Sequence, residues 1–294
     1  VSDPSYSSSW ALPNIAAPTA WDTTNGSGIT IAILDSGVDA AHPDLAKNLV
    51  PGWNFVDNNS NTSDVRGHGT NVAGAAAMLA NNGTGSAGVA WGTKIMPLRI
   101  SNAEGTAYFS HIAQAVNWAA DKGARVVNLS FNGVSGSSTV KSAADYMRSK
   151  GGVVVVSAGN TSGFQSYPAS DSFLVAAATD SSNNKTSWSS YGEYVDVAAP
   201  GLSIYTTANG GSYAKVSGTS FSSPSTAATV ALMMAANPKL SPADVDKIIT
   251  ATALDRGTAG WDQIYGYGRI DAAKAVAMAK TYAGTGTTST TSTP

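Results

Sequence analysis

The chain has 294 residues, of which 43% are hydrophobic and 12% are charged, and its formal net charge at pH 7 is −2. It has no strongly basic stretch, which argues against nucleic-acid binding, and no apolar run of the ~18 residues that a transmembrane helix needs. It contains no cysteine, which excludes disulfides, thiolate metal sites and cysteine nucleophiles.

Four short apolar runs predict buried β-strands, and six amphipathic stretches predict helices between and after them. Runs that are apolar throughout are typical of parallel strands covered on both faces. The alternation predicts an α/β fold, a doubly wound and mostly parallel β-sheet with helices on both faces, in which ligands bind beyond the carboxyl ends of the strands. The predicted strands are 29–34, 125–129, 152–156 and 173–177, and the predicted helices are 69–80, 110–121, 139–149, 223–236, 242–252 and 271–282.

Asp35 directly follows the first apolar run, so we expect it at the carboxyl end of a buried strand, beside a tight turn at Gly37. A buried aspartate needs hydrogen-bond partners, and a histidine N–H is a suitable one. Considered alone, an ordinary turn aspartate at a strand end is the simpler interpretation.

His68 lies between two glycines just before the Ala-rich predicted helix, and the chain has three histidines. Because the helix dipole disfavours a protonated histidine at a helix N-terminus, an aspartate partner would offset that effect and fix the tautomer. His42 precedes Pro43 and is predicted to lie in a loop, whereas His111 is predicted on a helix surface. His68 is therefore the best candidate for a general base.

Ser220 lies just before Pro224, a residue that suits the first turn of the following helix. Near a helix N-terminus developing negative charge is favoured, although a lone serine there is more often a cap. Together with Asp35 and His68, however, it completes the acid, base and nucleophile that break an acyl bond without a metal or an organic cofactor.

The three motifs at residues 35–37, 67–70 and 218–220 resemble those of the subtilisin-like serine proteases, the subtilase family, and most closely its thermitase branch. The chain order Asp, His, Ser is the order of that family. The resemblance covers residues 1–283 and implies a subtilisin-like peptidase domain.

The resemblance implies a role for each member of the triad. Ser220 would attack the scissile carbonyl, His68 would take up and return the proton, and Asp35 would orient His68. Asn160, which follows a predicted strand, matches the family's oxyanion asparagine. Its amide would stabilise the oxyanion together with the backbone N–H of Ser220.

The resemblance also implies a cleft that holds an extended peptide by backbone hydrogen bonds, so that recognition is largely independent of sequence. One wall of the primary pocket is implied at 130–133, the other at 158–159, and the opposite edge of the cleft at 105–107. These pocket residues are neutral, which predicts broad cleavage with an apolar or aromatic preference at the primary position, P1. The implied substrate-binding residues are Ser130, Phe131, Asn132, Gly133, Ala158, Gly159, Gly105 and Thr106.

Two loops resemble calcium loops of the family, and they carry the oxygen ligands that hard cations prefer. In the second loop, amides and a serine replace several aspartates of the thermitase loop, which predicts weaker binding. Solvated loops without metal are the alternative. The implied ligands at the first loop are Asp3, Asp44, the Asn82 side chain and the backbone carbonyls of Thr84 and Ser86, with a carbonyl of Leu79 or Ala80, and those at the second are Asn54, Asp57 and Asn59.

Two positions depart from the family pattern. The usual histidine after Gly-His-Gly-Thr is Asn71, and the usual Met-Ala-Thr-Pro-His after the nucleophile is replaced by residues 221–225. Neither change removes a member of the triad. We expect them to alter packing behind the catalytic groups, and so the rate, the specificity or the pH optimum, but not the type of reaction.

These features predict a secreted serine endopeptidase with structural Ca²⁺, protein and peptide substrates and a propeptide during maturation, acting as a monomer without nucleic-acid or membrane partners. An esterase or polyester depolymerase with the same triad is the alternative, and a non-catalytic module is disfavoured by the intact triad. The start at Val1, without an initiator Met, predicts a processed form. Residues 284–294 are rich in Thr, Ser and Gly, which predicts a flexible tail or linker.

Overall fold

The computed structural model describes residues 1–284. The strands are β1 Thr30–Asp35, β2 Trp53–Asn54, β3 Lys94–Arg99, β4 Val126–Leu129, β5 Val153–Ser157, β6 Leu174–Thr179, β7 Val197–Pro200, β8 Ile204–Ala208 and β9 Ser212–Val216. The first seven form one sheet in the order β2-β3-β1-β4-β5-β6-β7, in which every neighbouring pair is parallel. Strands β8 and β9 form an antiparallel pair.

Helices cover both faces of this sheet, as an α/β doubly wound fold requires. Short 3₁₀ turns lie at Tyr6–Ser8, Ala46–Asn48 and Val134–Gly136. The α-helices are α1 Ala11–Asn14, α2 Ala17–Ala20, α3 His68–Ala77, α4 Phe109–Asp121, α5 Ser138–Ser149, α6 Thr219–Ala236, α7 Pro242–Thr252 and α8 Ala272–Thr281. The predicted fold class is confirmed.

Strand β1 shows why the predicted strands are apolar throughout. Successive side chains of a strand point to opposite faces. Ile31 and Ile33 therefore belong to the core that contains α3 and α6, whereas Ala32 and Leu34 belong to the core that contains α4 and α5. With both faces covered, the strand is buried from Ile31 through Asp35.

The structure departs from the predicted elements in identifiable ways. Strand β3 was not predicted, because Pro97 weakens its strand signal. Pro97 is tolerated because the short strand β2 pairs only with Leu98 and Arg99. Helix α3 ends at Ala77, since Met78 adopts ψ 128° and leaves the helix.

Helix α6 begins at Thr219, four residues before the predicted start, so Ser220 is its second residue. No helix among residues 1–284 is long and apolar enough to cross a bilayer. The predicted tail lies outside the described residues apart from Gly284, and the domain limits of 1–283 stay a prediction.

Candidate active site

The end of β1 and the start of α3 bring Asp35 and His68 together. Asp35 is 1% exposed, and His68 is the first residue of α3. The His68 Nδ1 atom lies 2.8 Å from Asp35 Oδ1 and 3.0 Å from Oδ2. A carboxylate accepts hydrogen bonds, so it holds the proton of the neutral imidazole on Nδ1. Nε2 is then the nitrogen that can accept a proton.

The close approach of α3 to β1 depends on Gly69. A Cβ atom on Gly69 would lie 2.0 Å from the carbonyl oxygen of Gly37 and 3.0 Å from the Cβ atom of Asp35. Any side chain at this position would therefore push α3 away from β1 and separate His68 from Asp35.

Burial is the largest influence on the pKa of His68, and it lowers that pKa. The charge and the hydrogen bond of Asp35, with the charge of Asp64, raise it by more in total, while Arg66 lowers it. The pKa of His68 is thus raised above its ordinary value of 6.5. A raised pKa makes the neutral imidazole a stronger base.

Asp64, which the sequence analysis did not identify, organises the loop that leads into α3. Its carboxylate accepts hydrogen bonds from the Ser36 hydroxyl, from the N–H groups of Arg66 and Gly67, and from the N–H and hydroxyl of Thr70. An aspartate just ahead of a helix start is a capping signal that could have found it.

Ser220 lies at the N-terminal end of α6 and is 8% exposed. In a regular helix the N–H of residue 224 would donate to the Ser220 carbonyl, but Pro224 has no N–H. The Ser130 hydroxyl donates to that carbonyl instead, at 3.0 Å. This hydrogen bond therefore attaches the start of α6, where Ser220 lies, to the segment 130–133.

Asn160 follows β5, and its side-chain oxygen is held by Thr219. Oδ1 of Asn160 accepts hydrogen bonds from the Thr219 N–H at 2.9 Å and from the Thr219 hydroxyl at 2.9 Å. These contacts orient the amide so that Nδ2 remains as a donor. The first four N–H groups of a helix, that of Ser220 among them, have no intrahelical acceptor. The arrangement thus offers two N–H donors for a developing oxyanion.

All four predicted catalytic residues line one cleft of about 390 Å³. Of the predicted substrate-binding residues, Gly133, Ala158 and Gly159 do not line it, and Ala158 is buried. The predicted substrate-binding residues that line the cleft are Gly105, Thr106, Ser130, Phe131 and Asn132, and the other lining residues are Arg66, Ser101 and Ala107.

Asn132 and Gly159 face each other at the predicted primary pocket. A Cβ atom on Gly159 would lie 3.4 Å from Asn132 Oδ1. The Asn132 side chain therefore reaches across from one predicted wall toward the other and narrows the space between them.

Arg66 places a positive charge in a cleft whose predicted pocket residues are all neutral. A Cβ atom on Gly105 would lie 2.8 Å from Cζ of Arg66, so the guanidinium lies over Gly105. Its Nη1 donates to the Ala103 carbonyl at 3.2 Å. Sequence analysis missed Arg66 because nothing in the sequence shows that its side chain turns toward residues 103–105.

The first predicted calcium loop gathers around Asp44, which is fully buried. Its carboxylate accepts from the Asn82 amide at 2.6 Å, from the Thr84 hydroxyl at 2.6 Å and from the Tyr213 hydroxyl at 2.8 Å. No ion pair found among residues 1–284 involves Asp44. A buried carboxylate with only neutral partners fits a bound cation.

The other predicted ligands of this loop have different surroundings. The Asp3 carboxylate accepts from the backbone N–H groups of residues 81–83, so it shapes the loop. Ser86 is fully buried and its hydroxyl lies 2.6 Å from the Ser9 hydroxyl, whereas its predicted ligand atom is the backbone carbonyl oxygen. Residues 1–284 contain no group of three or more His, Cys, Asp or Glu side chains that could hold a metal. A cation at this loop would thus depend on amide and carbonyl oxygens beside Asp44.

The second predicted calcium loop does not fit a cation. Oδ2 of Asp57 lies 3.1 Å from Nη1 of Arg99 and accepts from the Asn54 amide at 3.0 Å. Oδ1 of Asn54 accepts from two backbone N–H groups of the loop, and Oδ1 of Asn59 accepts from a third. One carboxylate oxygen of Asp57 and the amide oxygens of Asn54 and Asn59 are engaged, and the guanidinium already supplies a positive charge.

The two remaining histidines do not line the cleft. His42 is fully buried, and its Nε2 lies 2.8 Å from the Ser212 carbonyl oxygen. His111 lies in α4, as predicted. His68 is the histidine that the fold brings to Asp35.

The two departures from the family pattern pack around His68 and α3. The Asn71 amide donates to the Thr207 carbonyl at 2.7 Å, which joins α3 to β8. The Phe221 ring lies 6.0 Å from the His68 ring, measured between centroids. Both residues lie behind the reacting groups, where packing can affect the rate.

A second cavity, of about 510 Å³, lies elsewhere and shares no residue with the cleft. It contains Asp196, whose pKa is raised to about 8, mainly by burial. Its larger volume does not make it the reaction site, because none of the hydrogen bonds found for the serine and threonine hydroxyls that line it joins them to a carboxylate.

The chain is similar to proteins of known family. The model described as the subtilase family matches residues 26–268. Thermitase of Thermoactinomyces vulgaris is 43% identical over 277 residues, which cover 93% of this chain and 98% of thermitase. Subtilisin Savinase of Lederbergia lenta is 37% identical over 266 residues, which cover 90% of this chain and 96% of Savinase. A solved structure titled as proteases from Pseudoalteromonas arctica PAMC 21717 has a TM-score of 0.82 at 29% identity, covering 94% of this chain and 98% of that chain.

Proposed function

The chain belongs to the subtilase family, as its motifs predicted, and we propose that this serine endopeptidase is secreted and cleaves proteins through an acyl-enzyme intermediate on Ser220. The observation that carries the mechanism is the pairing of His68 Nδ1 with Asp35 at 2.8 Å in the same cleft as Ser220 and Asn160.

In this mechanism, Ser220 Oγ attacks the scissile carbonyl carbon while His68 Nε2 takes up the hydroxyl proton. Asp35 keeps the Nδ1 proton in place and stabilises the imidazolium. The tetrahedral intermediate collapses as His68 gives the proton to the leaving amine, which breaks the C–N bond. A water molecule then attacks the acyl-enzyme by the same proton transfers and frees Ser220.

The negative oxygen of the tetrahedral intermediate is stabilised by two donors, Asn160 Nδ2 and the Ser220 N–H. Thr219 supports this role because it holds the oxygen of the Asn160 amide and so presents the nitrogen. The N-terminal end of α6 adds a favourable dipole, since Ser220 is its second residue.

The substrate is an extended peptide with an apolar or aromatic side chain at P1. The supporting feature is the neutral character of the residues near Ser220, such as Phe131 and Asn132 in the cleft lining. Neither wall of the predicted pocket carries a carboxylate that would attract Lys or Arg.

A structural Ca²⁺ binds at the first loop, at Asp44, Asn82 and Thr84, where it would neutralise the buried carboxylate. Asp3 contributes by holding the loop backbone. We place no calcium at the second loop, because Arg99 pairs with Asp57 there.

Secretion and an inactive precursor with a propeptide follow from the activity itself, since an unrestrained broad endopeptidase would digest the proteins of the cell that makes it. A monomer is sufficient, because a single chain supplies the proposed triad, the oxyanion donors and the cleft.

Digestion of casein, with the new peptide termini read by mass spectrometry, tests this proposal. Internal cleavage after apolar or aromatic residues is the expected result. Cleavage mainly after Lys or Arg would contradict the P1 assignment. Turnover of an insoluble ester polymer with no turnover of casein would favour the esterase alternative.

Asn160→Leu is expected to lower kcat by about 10²–10³-fold with little change in KM, a size taken from the corresponding asparagine of subtilisin. Leucine has a similar volume but no N–H to stabilise the oxyanion. Steady-state kinetics on a peptide anilide measure the effect, and a thermal unfolding curve checks the fold. A folded variant with near-normal kcat would refute the oxyanion role.

Calcium removal is expected to lower Tm by about 5–15 °C, because an ion that binds only the folded state at 100–1,000 times its Kd stabilises that state by about 3–4 kcal/mol. Thermal unfolding with and without EDTA measures the shift. Asp44→Asn should unfold earlier in calcium and lose most of its EDTA response. Asp57→Asn, at the second loop, should keep that response. An unchanged wild-type Tm in EDTA would contradict the proposed site.

A further inference from the structure

We propose that Arg66 makes the cleft select substrates with an acidic side chain at P2, the residue immediately before P1, an inference that rests on the proposed endopeptidase function. Arg66 lies two residues before His68, lines the cleft, and has an exposed side chain. Its guanidinium lies over Gly105, on the predicted edge of the cleft.

The backbone around the guanidinium holds it by one hydrogen bond and leaves room for it over Gly105. Nη1 donates to the Ala103 carbonyl at 3.2 Å, and the absence of a side chain on Gly105 leaves the room that the guanidinium fills. One of the five N–H groups of the guanidinium thus anchors the side chain, and the other four remain to donate to a ligand. An anchored guanidinium loses less conformational freedom when it binds a ligand than a freely rotating side chain does.

The charges of the cleft leave Arg66 available to a substrate. The residues that line the cleft include three with ionisable side chains, Asp35, His68 and Arg66. The Asp35 carboxylate is 1% exposed and is engaged with His68. None of the ion pairs found among residues 1–284 involves Arg66. The positive guanidinium is therefore the charge that an incoming peptide meets.

Alternation along an extended peptide assigns Arg66 to P2. Successive side chains of a strand-like substrate point to opposite sides. When the P1 side chain enters the predicted primary pocket at 130–133 and 158–159, the P2 side chain points to the opposite side, where His68 and Arg66 line the cleft. A carboxylate there can take the planar, two-point hydrogen bonding that a guanidinium offers.

The expected effect is moderate, because the guanidinium is exposed and exposed ion pairs are weak. A substrate with Glu at P2 should have a kcat/KM about 5-fold above the same substrate with Gln, and on the order of 25-fold above the one with Lys, which Arg66 repels. Salt should reduce both ratios, since screening weakens exposed charge pairs.

The test uses three peptide anilides that share P1 and differ only in Glu, Gln or Lys at P2. Each is measured with the wild type, Arg66→Gln and Arg66→Glu, at low and high salt and at one pH above the pKa of His68. Lys280→Gln, a change of the same charge on the exposed face of α8, is the matched control. A second series that moves the Glu from P2 to P3 checks the position.

We expect the Glu preference in the wild type and in Lys280→Gln, its loss in Arg66→Gln and its reversal in Arg66→Glu. Equal rates on the three substrates in the wild type, the same preference in Arg66→Gln, or a preference that follows Glu to P3 would each overturn the proposal. Failure to cleave any of the substrates would instead count against the endopeptidase function. If Arg66→Gln did not fold, the wild-type ratios and their salt dependence would still decide.

Discussion

Ser220→Ala is expected to abolish casein digestion and to lower kcat on a peptide anilide by about a million-fold, the size known for loss of the nucleophile in subtilisin. Without the hydroxyl no acyl-enzyme can form, and only binding and the oxyanion donors would assist attack by water. The fold should persist, because the Ser220 contact with Ser130 uses the backbone carbonyl and not the side chain.

Ser225→Ala is the matched control for this experiment. Ser225 lies on the same helix and is nearly fully buried, but its hydroxyl donates to the Phe221 carbonyl within the helix. Its loss should leave kcat within a few-fold of the wild type. If a folded Ser220→Ala protein digested casein at the wild-type rate, another group would have to be the nucleophile.

Asp35 and His68 could be predicted because local sequence determines their positions. The apolar run that forms β1 is buried on both faces, and Asp35 is its last residue. Its carboxylate therefore lies at the carboxyl end of the strand, where ligands bind in such sheets. Gly69 removes the side chain that would keep α3 from β1. Such signals need only short segments of sequence, so a single chain reveals them.

The sequence offers a local capping signal for Asp64, but the contacts that Asp64 and Arg66 make with distant segments could not be predicted in the same way. Asp64 accepts from Ser36, and Arg66 donates to Ala103. The second loop shows the same limit. Its pattern of Asn and Asp suggests a cation site, and the pairing of Asp57, in the loop after β2, with Arg99 at the end of β3 removes the need for one.

Asp35→Asn is expected to lower kcat by about 10⁴-fold, because an amide can donate to His68 Nδ1 and so favour the tautomer with its proton on Nε2. That tautomer cannot accept the Ser220 proton. The loss should be smaller than that of Ser220→Ala, since the nucleophile and the oxyanion donors remain. Asp22→Asn, an exposed change elsewhere in the chain, should leave kcat unchanged.

The same variant tests the origin of the His68 pKa through the pH dependence of kcat/KM. In the wild type, burial lowers this pKa, and the attraction of Asp35 and Asp64 outweighs burial, so that the pKa lies above 6.5. Because catalysis needs neutral His68, kcat/KM should rise with pH through that raised value. Asparagine carries no charge, so burial then prevails and the acid limb should move to lower pH. A limb that stays in place or moves to higher pH would mean that the carboxylate of Asp35 does not control the protonation of His68.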